Sequence, residues 1–283
     1  MIALTPRHPC CSAERFPARG PGPMVMAEHT RLAGTGCWWV DRLLQPRVVA
    51  VTCAGHTVVR GDPRATGPEA LAPLAHTYID APARFLPVLR AAFVSLVPWE
   101  RMVSVQTEPA RAVRPPGGAV VRRMTAGDGS AVADLDGDMA WIAASWGGPA
   151  RLATSGHCWG AFRGEQLLSL ACTYFLGGLY EDLAVATRPA ERRRGLALAC
   201  VTALCGDISA RGRTATWNCS RDNGASRRLA WSAGFRLADE YVHYAVGKAL
   251  EGSEAGRGVV PVAGRPGPVG DARTAGAGDS RGG

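Results

Sequence analysis

The segment from Arg188 to Ala199, RPAERRRGLALA, places anion-binding residue types at the start of a predicted helix. The free amide hydrogens and aligned peptide dipoles of a first helical turn attract negative charge. Gly195 lets the backbone approach an oxyanion closely, and the small Ala197 leaves room for a second approach. Arg192 and Arg194 add forked donors that suit phosphate oxygens. The segment therefore predicts a phosphate-binding turn, although its arginines could equally form a solvated collar ahead of a buried helix.

Other reactive side chains give weaker signals. His157 and Cys158 are adjacent on a predicted strand, so their side chains point to opposite faces and do not form a nucleophile pair. The six histidines show no metal-ligand spacing, and none of the nine cysteines forms a C-x-x-C pair. The sequence therefore predicts no metal site, and it predicts reduced thiols of the kind found in cytoplasmic proteins.

Composition and charge restrict the partners of the chain. The formal net charge is +8, and nearly all of the positive charge is arginine, since Lys248 is the only lysine. These arginines are scattered and form no basic stripe with interleaved aromatic residues, so we expect no nucleic-acid partner. No apolar run approaches the roughly 18 residues of a membrane span, and the N-terminus lacks the hydrophobic stretch of a signal peptide. We expect a cytoplasmic protein with no membrane partner, either a monomer or a homodimer.

Segments rich in proline and glycine divide the chain into parts. Their composition predicts a disordered leader over residues 1–30 and a disordered tail over residues 249–283. The stretch EPARAVRPPGG predicts a linker over residues 108–118. It separates a small α/β unit, residues 31–107, from a second domain over residues 119–248.

The second domain contains the elements that must position the arginine-rich turn. Hydrophobic periodicity predicts the order β, α, β, β, β, α, β, α, β. The strand LYEDLAVAT directly precedes the turn, and the helix RGLALACVTALCGDISARG follows it. A later helix, DNGASRRLAWSAG, has Asp222 as a candidate N-cap.

Two segments of this domain resemble sequence motifs of the GNAT superfamily of N-acetyltransferases. The first resembles the acyl-CoA-binding run V…P-x-x-R/Q-x-x-G-x-G/A, which wraps the pyrophosphate of coenzyme A in that family. Its matching residues are Val185, Pro189, Arg192, Gly195 and Ala197. The second, DNGASRRLAWSAGF, resembles the family's N-x-x-S/A helix that ends in Gly-Phe, and its matching residues are Asn223, Ser226, Gly234 and Phe235. The order in TWNCSRDNGASRRLA is also loosely similar to antibiotic-resistance acetyltransferases of the zwittermicin type.

This resemblance implies both a fold and a reaction. The fold class is α/β (α+β), with a GNAT-like mixed, mostly antiparallel twisted sheet flanked by helices and a small additional N-terminal α/β unit. The reaction is transfer of the acetyl group of acetyl-CoA, as co-substrate, to a primary amine of a small molecule by direct attack. The implied cofactor-binding residues are Leu183, Ala184, Val185, Arg192, Arg193, Arg194, Gly195, Leu196, Ala197, Asn223 and Ser226.

The resemblance also directs attention to catalytic groups on the strand before the turn. An amine attacks only when it is neutral, so a general base is useful. Glu181 and Asp182 begin this strand and point to opposite faces. We prefer Glu181 for its reach, and the alternative that these carboxylates form a solvated strand end stays open. An amide near Leu183 or Val185 is expected to polarise the thioester carbonyl.

The general acid is the point where the chain departs from the family pattern. The family often places a tyrosine four residues before the glycine of the Gly-Phe pair, and Ala230 occupies that position here. Tyr241, His243 and Tyr244 on the last predicted strand are the candidate substitutes. Because the usual tyrosine is missing and the N-terminal unit is unexplained, a catalytically inactive acyl-CoA-binding regulatory module is the alternative function.

Overall fold

The computed structural model describes residues 1–9, 16, 20–109, 113–115, 117–135 and 137–247. The strands are β1 (Ile2–Leu4), β2 (Cys37–Val40), β3 (Val48–Cys53), β4 (His56–Gly61), β5 (Tyr78–Asp80), β6 (Leu96–Gln106), β7 (Val120–Arg123), β8 (Cys158–Arg163), β9 (Gln166–Leu176), β10 (Tyr180–Thr187), β11 (Thr214–Ser220) and β12 (Phe235–Val246). The α-helices are α1 (Val25–His29), α2 (Leu86–Ala92), α3 (Gly129–Ala133), α4 (Pro149–Thr154), α5 (Leu196–Ala210) and α6 (Gly224–Ser232). A longer 3-10 segment covers Gly137–Trp146.

One continuous sheet joins all of these strands. Its order is β1-β2-β3-β4-β5-β12-β6-β11-β10-β9-β8-β7. Neighbouring strands are antiparallel except for two parallel pairs, β4 with β5 and β10 with β11. Together with the flanking helices, this mixed and mostly antiparallel sheet confirms the predicted fold class.

Strand β6 joins the two predicted parts of the chain. It belongs by sequence to the predicted N-terminal unit over residues 31–107, but it lies between β11 and β12 of the predicted second domain. Eleven pairs connect β6 to β12, from Phe235↔Gln106 to Val246↔Leu96. The predicted linker over residues 108–118 therefore follows a strand that already belongs to the sheet of the second domain, and it does not divide the sheet.

The N-terminal residues differ from the predicted leader. Ile2–Leu4 pairs antiparallel with β2, and α1 buries Val25 and Met26 in the core. The short apolar runs at residues 2–4 and 24–27 form this strand and this helix. Each run is too short to outweigh the surrounding proline and arginine residues in a prediction from composition. The predicted tail over residues 249–283 lies outside the described residues.

Helices cover both faces of the sheet at β10. Helix α5 packs on one face, in a core cluster that includes Leu183, Leu204 and Trp217. Helix α1 and the Gly137–Trp146 segment contribute to the core on the other face. Consecutive side chains of β10 therefore pack on opposite faces of the sheet. In the described part of the chain, no helix combines the length and apolarity that crossing a membrane requires.

Candidate active site

Strands β10 and β11 pair only over their first halves. The parallel register runs from Tyr180↔Thr214 to Leu183↔Trp217, although β10 continues to Thr187 and β11 to Ser220. On its other side, β10 stays paired with β9 through Thr187↔Ser169. The backbone of residues 184–187 therefore borders an opening between two strands that belong to one sheet.

The amide of Val185 points into this opening. The amide nitrogen of Arg188 donates to the carbonyl oxygen of Leu168 at 3.0 Å, in the direction of β9. Hydrogen-bonded and non-hydrogen-bonded positions alternate along an antiparallel pair, so Ala186 also faces β9 and Val185 faces away. A free strand amide at this position can bind a carbonyl oxygen.

Helix α5 begins with an open first turn. Gly195 precedes the helix with φ +79°, and no side chain caps the turn. The first backbone bond of the turn runs from Ala199 N to Gly195 O, so the amides of Leu196 and Ala197 have no partner within the helix. Gly195 is exposed, with open space where a Cβ would stand. This geometry suits an anion at the helix start, where the Leu196 side chain packs into the core.

The three predicted arginines lie in the loop before α5 and are exposed. Arg192 Nε donates to the carbonyl oxygen of Thr187 at 3.3 Å, which holds it at the end of β10. Arg194 pairs with Glu191 at 2.9 Å, and Arg193 has a left-handed backbone with φ +62°. Their positive charge therefore stands beside the open helical turn.

Asn223 and Ser226 lie at the start of α6, next to β11. The side chain of Asn223 caps the helix by accepting a hydrogen bond from Ser226 N at 3.0 Å. Ser226 Oγ accepts a hydrogen bond from Trp217 Nε1 at 2.9 Å. Ser226 and Trp217 both line the cavity described next.

A cavity of about 390 Å³ passes through the opening between β10 and β11. Leu183, Ala184 and Val185 line it from β10. The walls on the face opposite α5 are largely aromatic and include His56, Tyr78, Trp99, Trp141, Tyr174 and Phe175. Asp182, Arg101, Tyr241 and His243 add polar groups to the same lining.

Asp182 is a buried carboxylate inside this cavity, only 6% exposed. Its Oδ1 accepts hydrogen bonds from Asn218 Nδ2 at 2.7 Å and from Thr216 Oγ1 at 3.1 Å. Burial raises the pKa of Asp182 to about 7, and these hydrogen bonds and the charge of Arg101 only partly oppose that rise. A carboxylate in this state can exchange a proton near neutral pH.

Glu181 lies on the opposite face and does not line the cavity. Its carboxylate accepts hydrogen bonds from Arg211 at 2.8 and 2.9 Å, from Arg213 at 3.0 Å and from Thr173 at 2.5 Å. Burial opposes its charge, but His157 and these partners hold the pKa of Glu181 well below its usual value. This corrects the preference for Glu181 as the base, because the carboxylate is buried against the end of α5 and holds its charge in ion pairs.

Comparison with known proteins identifies the family. The GNAT acetyltransferase family model matches residues 123–244. An uncharacterized N-acetyltransferase encoded in the mutA 5' region of Streptomyces virginiae is 51% identical over 212 residues, which cover 75% of this chain and 90% of that protein. The chain belongs to the GNAT acetyltransferase family. It is accordingly an acyltransferase, as the sequence predicted.

Solved structures share the fold well beyond the part that the family model matches. A GCN5-related N-acetyltransferase-like protein from Streptococcus suis has a TM-score of 0.64 at 15% identity, over 82% of this chain and 95% of that one. A tandem GNAT protein from the clavulanic acid biosynthesis pathway has a TM-score of 0.51 at 13% identity, over 86% and 97%. At these identities the likeness shows the fold alone, and its coverage extends to the N-terminal strands.

The candidate general acids on the last strand of this GNAT acetyltransferase differ in whether they reach the cavity. Tyr241 and His243 line the cavity, whereas Tyr244 occupies the alternate position on β12 and does not. Burial raises the pKa of Tyr241, so its hydroxyl keeps a proton to donate. Burial lowers the pKa of His243 well below its usual value, so this imidazole is neutral. Ala230, at the position of the usual tyrosine, is buried in the core.

Sequence reasoning missed the residues that the N-terminal strands bring to the GNAT site. His56 comes from β4, Tyr78 from β5, and Trp99 and Arg101 from β6. They lie more than 75 residues before Asp182 along the chain, and no motif connects them to it. The only local signal is the alternation of Trp99 and Arg101, which places both on one face of a strand.

Proposed function

We propose that this GNAT acetyltransferase transfers the acetyl group of acetyl-CoA to a primary amine of a small molecule. The observation that carries the proposal is Asp182, a buried carboxylate inside the cavity at the point where β10 and β11 separate. A base in that position is next to the free strand amides that would hold a thioester. We also propose that the protein acts in the cytoplasm, as a monomer or a homodimer.

The described residues fit acetyl-CoA along one continuous path. The open first turn of α5, with the amides of residues 195–197 and the charge of Arg192, Arg193 and Arg194, suits the pyrophosphate. The amide of Val185, which faces the opening, and the cavity-lining Leu183 and Ala184 beside it suit the pantetheine arm. Asn223 and Ser226 border the same path at α6. Bound acetyl-CoA supplies a thioester carbon that an amine can attack.

The side chains of the cavity account for each proton of the reaction. Asp182 accepts a proton from the ammonium form of the acceptor, so that the neutral nitrogen forms a bond to the acetyl carbon. The Val185 amide stabilises the negative charge that develops on the acetyl oxygen. The carbon–sulfur bond then breaks, and Tyr241 donates its proton to the leaving sulfur. The Tyr241 oxygen takes up the second proton of the acceptor nitrogen as the amide forms, and Asp182 releases the first proton to solvent. Transfer is direct, and no covalent bond to the enzyme forms.

The test is a free-thiol assay with acetyl-CoA and a panel of primary amines. We expect release of coenzyme A with at least one amine, and mass spectrometry should show an acetylated product with a mass increase of one acetyl group. Calorimetry of acetyl-CoA binding accompanies the assay. Binding without thiol release across the panel would favour the inactive regulatory module, and absence of binding would reject both functions.

A further inference from the structure

Arg101 is a buried cation without an anion. It is 7% exposed and lines the cavity. Two of its nitrogen atoms, Nε and Nη1, are fully buried and have no hydrogen-bond partner. Its guanidinium lies over the Trp99 ring at 4.0 Å and also donates a hydrogen bond to the Tyr241 side chain. None of the ion pairs formed by the described residues involves Arg101.

This arrangement points to a ligand rather than to a structural role. Buried guanidinium groups are normally paired, because an unpaired buried charge loses its hydration without compensation. The Trp99 ring offers a cation–π contact but accepts no N–H hydrogen bond in the guanidinium plane. The two unpaired nitrogens are part of the planar fork that binds a carboxylate or a phosphate in a bidentate manner.

The position of Arg101 distinguishes between these two anions. Thr216 pairs with Asp182 on one side and with Val105 on the other, so these three side chains point to one face of the sheet. Every second residue of a strand points to the same face, so residues 103 and 101 of β6 share that face with Val105. Arg101 therefore shares the face of Asp182, whereas α5 and its open first turn pack on the opposite face with Leu183 and Trp217. Since the proposed phosphate site belongs to α5, the anion at Arg101 is part of the acceptor.

The charges of the cavity form a complementary pair. Among the described lining residues, Arg101 is the only permanent cation and Asp182 the only carboxylate. His56 and His243 also face Arg101, and burial lowers the pKa of His56 to about 3 and that of His243 well below its usual value. Both imidazoles are therefore neutral, so Arg101 is the group that would pair with an anionic part of the ligand. A ligand that satisfies this lining carries one cationic and one anionic group.

We infer that the acceptor is an amino acid, whose carboxylate binds Arg101 while its amine lies at Asp182. The inference rests on the proposed function and names its substrate class. The amine nitrogen forms the new bond to the acetyl group, and the carboxylate is unchanged by the reaction. Product and substrate share the carboxylate, so both bind Arg101.

The experiment compares amino acids with matched amines that lack the carboxylate. Each α- and short ω-amino acid of the panel is assayed beside its carboxamide and its decarboxylated amine, with thiol release as the readout. We expect kcat/KM for the best amino acid to exceed that of its two analogues by about 100-fold, within the range for losing one partner of a buried charge pair. Equal turnover of the amino acid and its analogues would overturn the inference and leave the acetyltransferase function intact.

Arg101 variants separate ligand binding from structure. Arg101→Met should lower kcat/KM for the amino acid by about 100-fold and change that for the carboxamide by less than about threefold. Arg101→Lys, which keeps the charge but loses the fork, should fall between wild type and Arg101→Met. The melting temperature of Arg101→Met should not fall, because the variant removes an unpaired buried charge. Equal losses for acid and carboxamide, together with a lower melting temperature, would assign Arg101 a structural role.

A binding arm separates this inference from the proposed function. The amino acids and their carboxamides are titrated calorimetrically into wild type and Arg101→Met in the presence of coenzyme A. Binding of amino acids that Arg101→Met abolishes would support the carboxylate site even if no thiol were released. Absence of any binding preference for the free carboxylate would overturn it, whatever the outcome of the acetylation assay.

Discussion

Glu181 and Asp182 are consecutive residues of β10, yet their carboxylates lie on opposite faces of the sheet and in opposite electrostatic environments. Glu181 is fully buried and paired with Arg211 at 2.8 Å, which favours its charged form. Asp182 receives hydrogen bonds from the neutral side chains of Asn218 and Thr216 and from the Asn218 backbone but forms no ion pair in the described part of the chain, so burial favours its protonated form. One carboxylate therefore stabilises the fold, while its neighbour can take up and release a proton.

Exchanging each carboxylate for its amide should separate these roles. Asp182→Asn should lower kcat/KM by about 10²–10⁴, because the amide cannot accept the proton of the acceptor amine. The matched control, Glu181→Gln, should instead lower the free energy of unfolding by about 3–5 kcal/mol, because it removes the buried anion that Arg211 and Arg213 share, although Arg211 keeps its pair with Asp207. The thiol assay and urea denaturation measure the two effects. Near-normal activity of folded Asp182→Asn would exclude Asp182 as the base.

The raised pKa of Asp182 also fixes the pH dependence. Activity should rise through about pH 7 as Asp182 loses its proton, and the pH profile of kcat/KM for Asp182→Asn should lack this step. The contribution of Asp182 to stability should change in the opposite sense. Between about pH 4 and 7 the folded state holds a proton on Asp182 that the unfolded state has lost, so this contribution to the free energy of unfolding falls as pH rises and is level above about 7. The buried histidines His29, His56 and His243 contribute with the opposite sign, because folding lowers the pKa of each.

Denaturation at pH 5 and pH 8 tests the stability part of this expectation. Relative to wild type, Asp182→Asn should lose more stability at pH 5 than at pH 8, and the histidine contributions, which both proteins share, cancel in this comparison. Glu181 does not interfere, because its pKa is lowered by folding and its contribution is lost only as pH falls below the unfolded value near 4.5. An equal loss of stability at the two pH values would show that Asp182 is not the group with the raised pKa.

The anion-binding turn could be predicted from sequence because its determinants are local. Gly195, the preceding arginines and the helix that follows are contiguous, and first-turn amides are free wherever no side chain caps them. Alternation also predicted that Glu181 and Asp182 point to opposite faces. Which of them faces the cavity depends on where α5 packs and on the register shift of β10 at Asp182/Leu183, and neither feature has a signal in the sequence.

The acceptor side of the site could not be predicted, because it depends on strand pairing between distant segments. Trp99 and Arg101 reach the cavity only because β6 is inserted between β11 and β12. The linker composition of residues 108–118 suggested two separate units, and pairing across that segment overrides the local pattern. Nothing in the local sequence therefore distinguishes Arg101 from the other scattered arginines.

Substitution of Gly195 should test the pyrophosphate turn. Gly195→Glu should abolish acetyl-CoA binding in calorimetry, because it places a negative charge and a side chain at the open first turn. Gly195→Ala should weaken binding only moderately, since the added Cβ meets open space and the cost is that of a positive φ, about 1–2 kcal/mol.

Gly212 provides the matched control at the other end of α5. It also has a positive φ, +71°, and open space at the Cβ position, so Gly212→Glu carries a similar backbone cost without touching the turn. This variant should bind acetyl-CoA with nearly normal affinity. Equal loss of binding in Gly195→Glu and Gly212→Glu would attribute the effect to stability and remove the evidence for the turn.

The two tyrosines of β12 offer another matched pair. Tyr241→Phe should lower kcat by about 10²-fold or more, because it removes the proton donor for the leaving sulfur while keeping the ring that lines the cavity. Tyr244→Phe should leave kcat unchanged, since Tyr244 does not line the cavity. Steady-state kinetics at several pH values measure both variants. Full activity of Tyr241→Phe would indicate that the thiolate leaves without this acid or takes its proton from water.

The insertion of β6 makes a prediction about where the chain can be cut. A fragment of residues 119–283 contains the residues matched by the GNAT family model but lacks β6, so β11 and β12 lose the strand that joins them. We expect this fragment to aggregate, because two long unpaired strand edges would be exposed.

A fragment of residues 94–283 restores β6 and should be markedly more soluble, even though it still lacks β1–β5. Solubility, size-exclusion chromatography and thermal melts monitored by circular dichroism compare the two. A monodisperse 119–283 fragment with a cooperative melt would show that the second domain folds without its inserted strand.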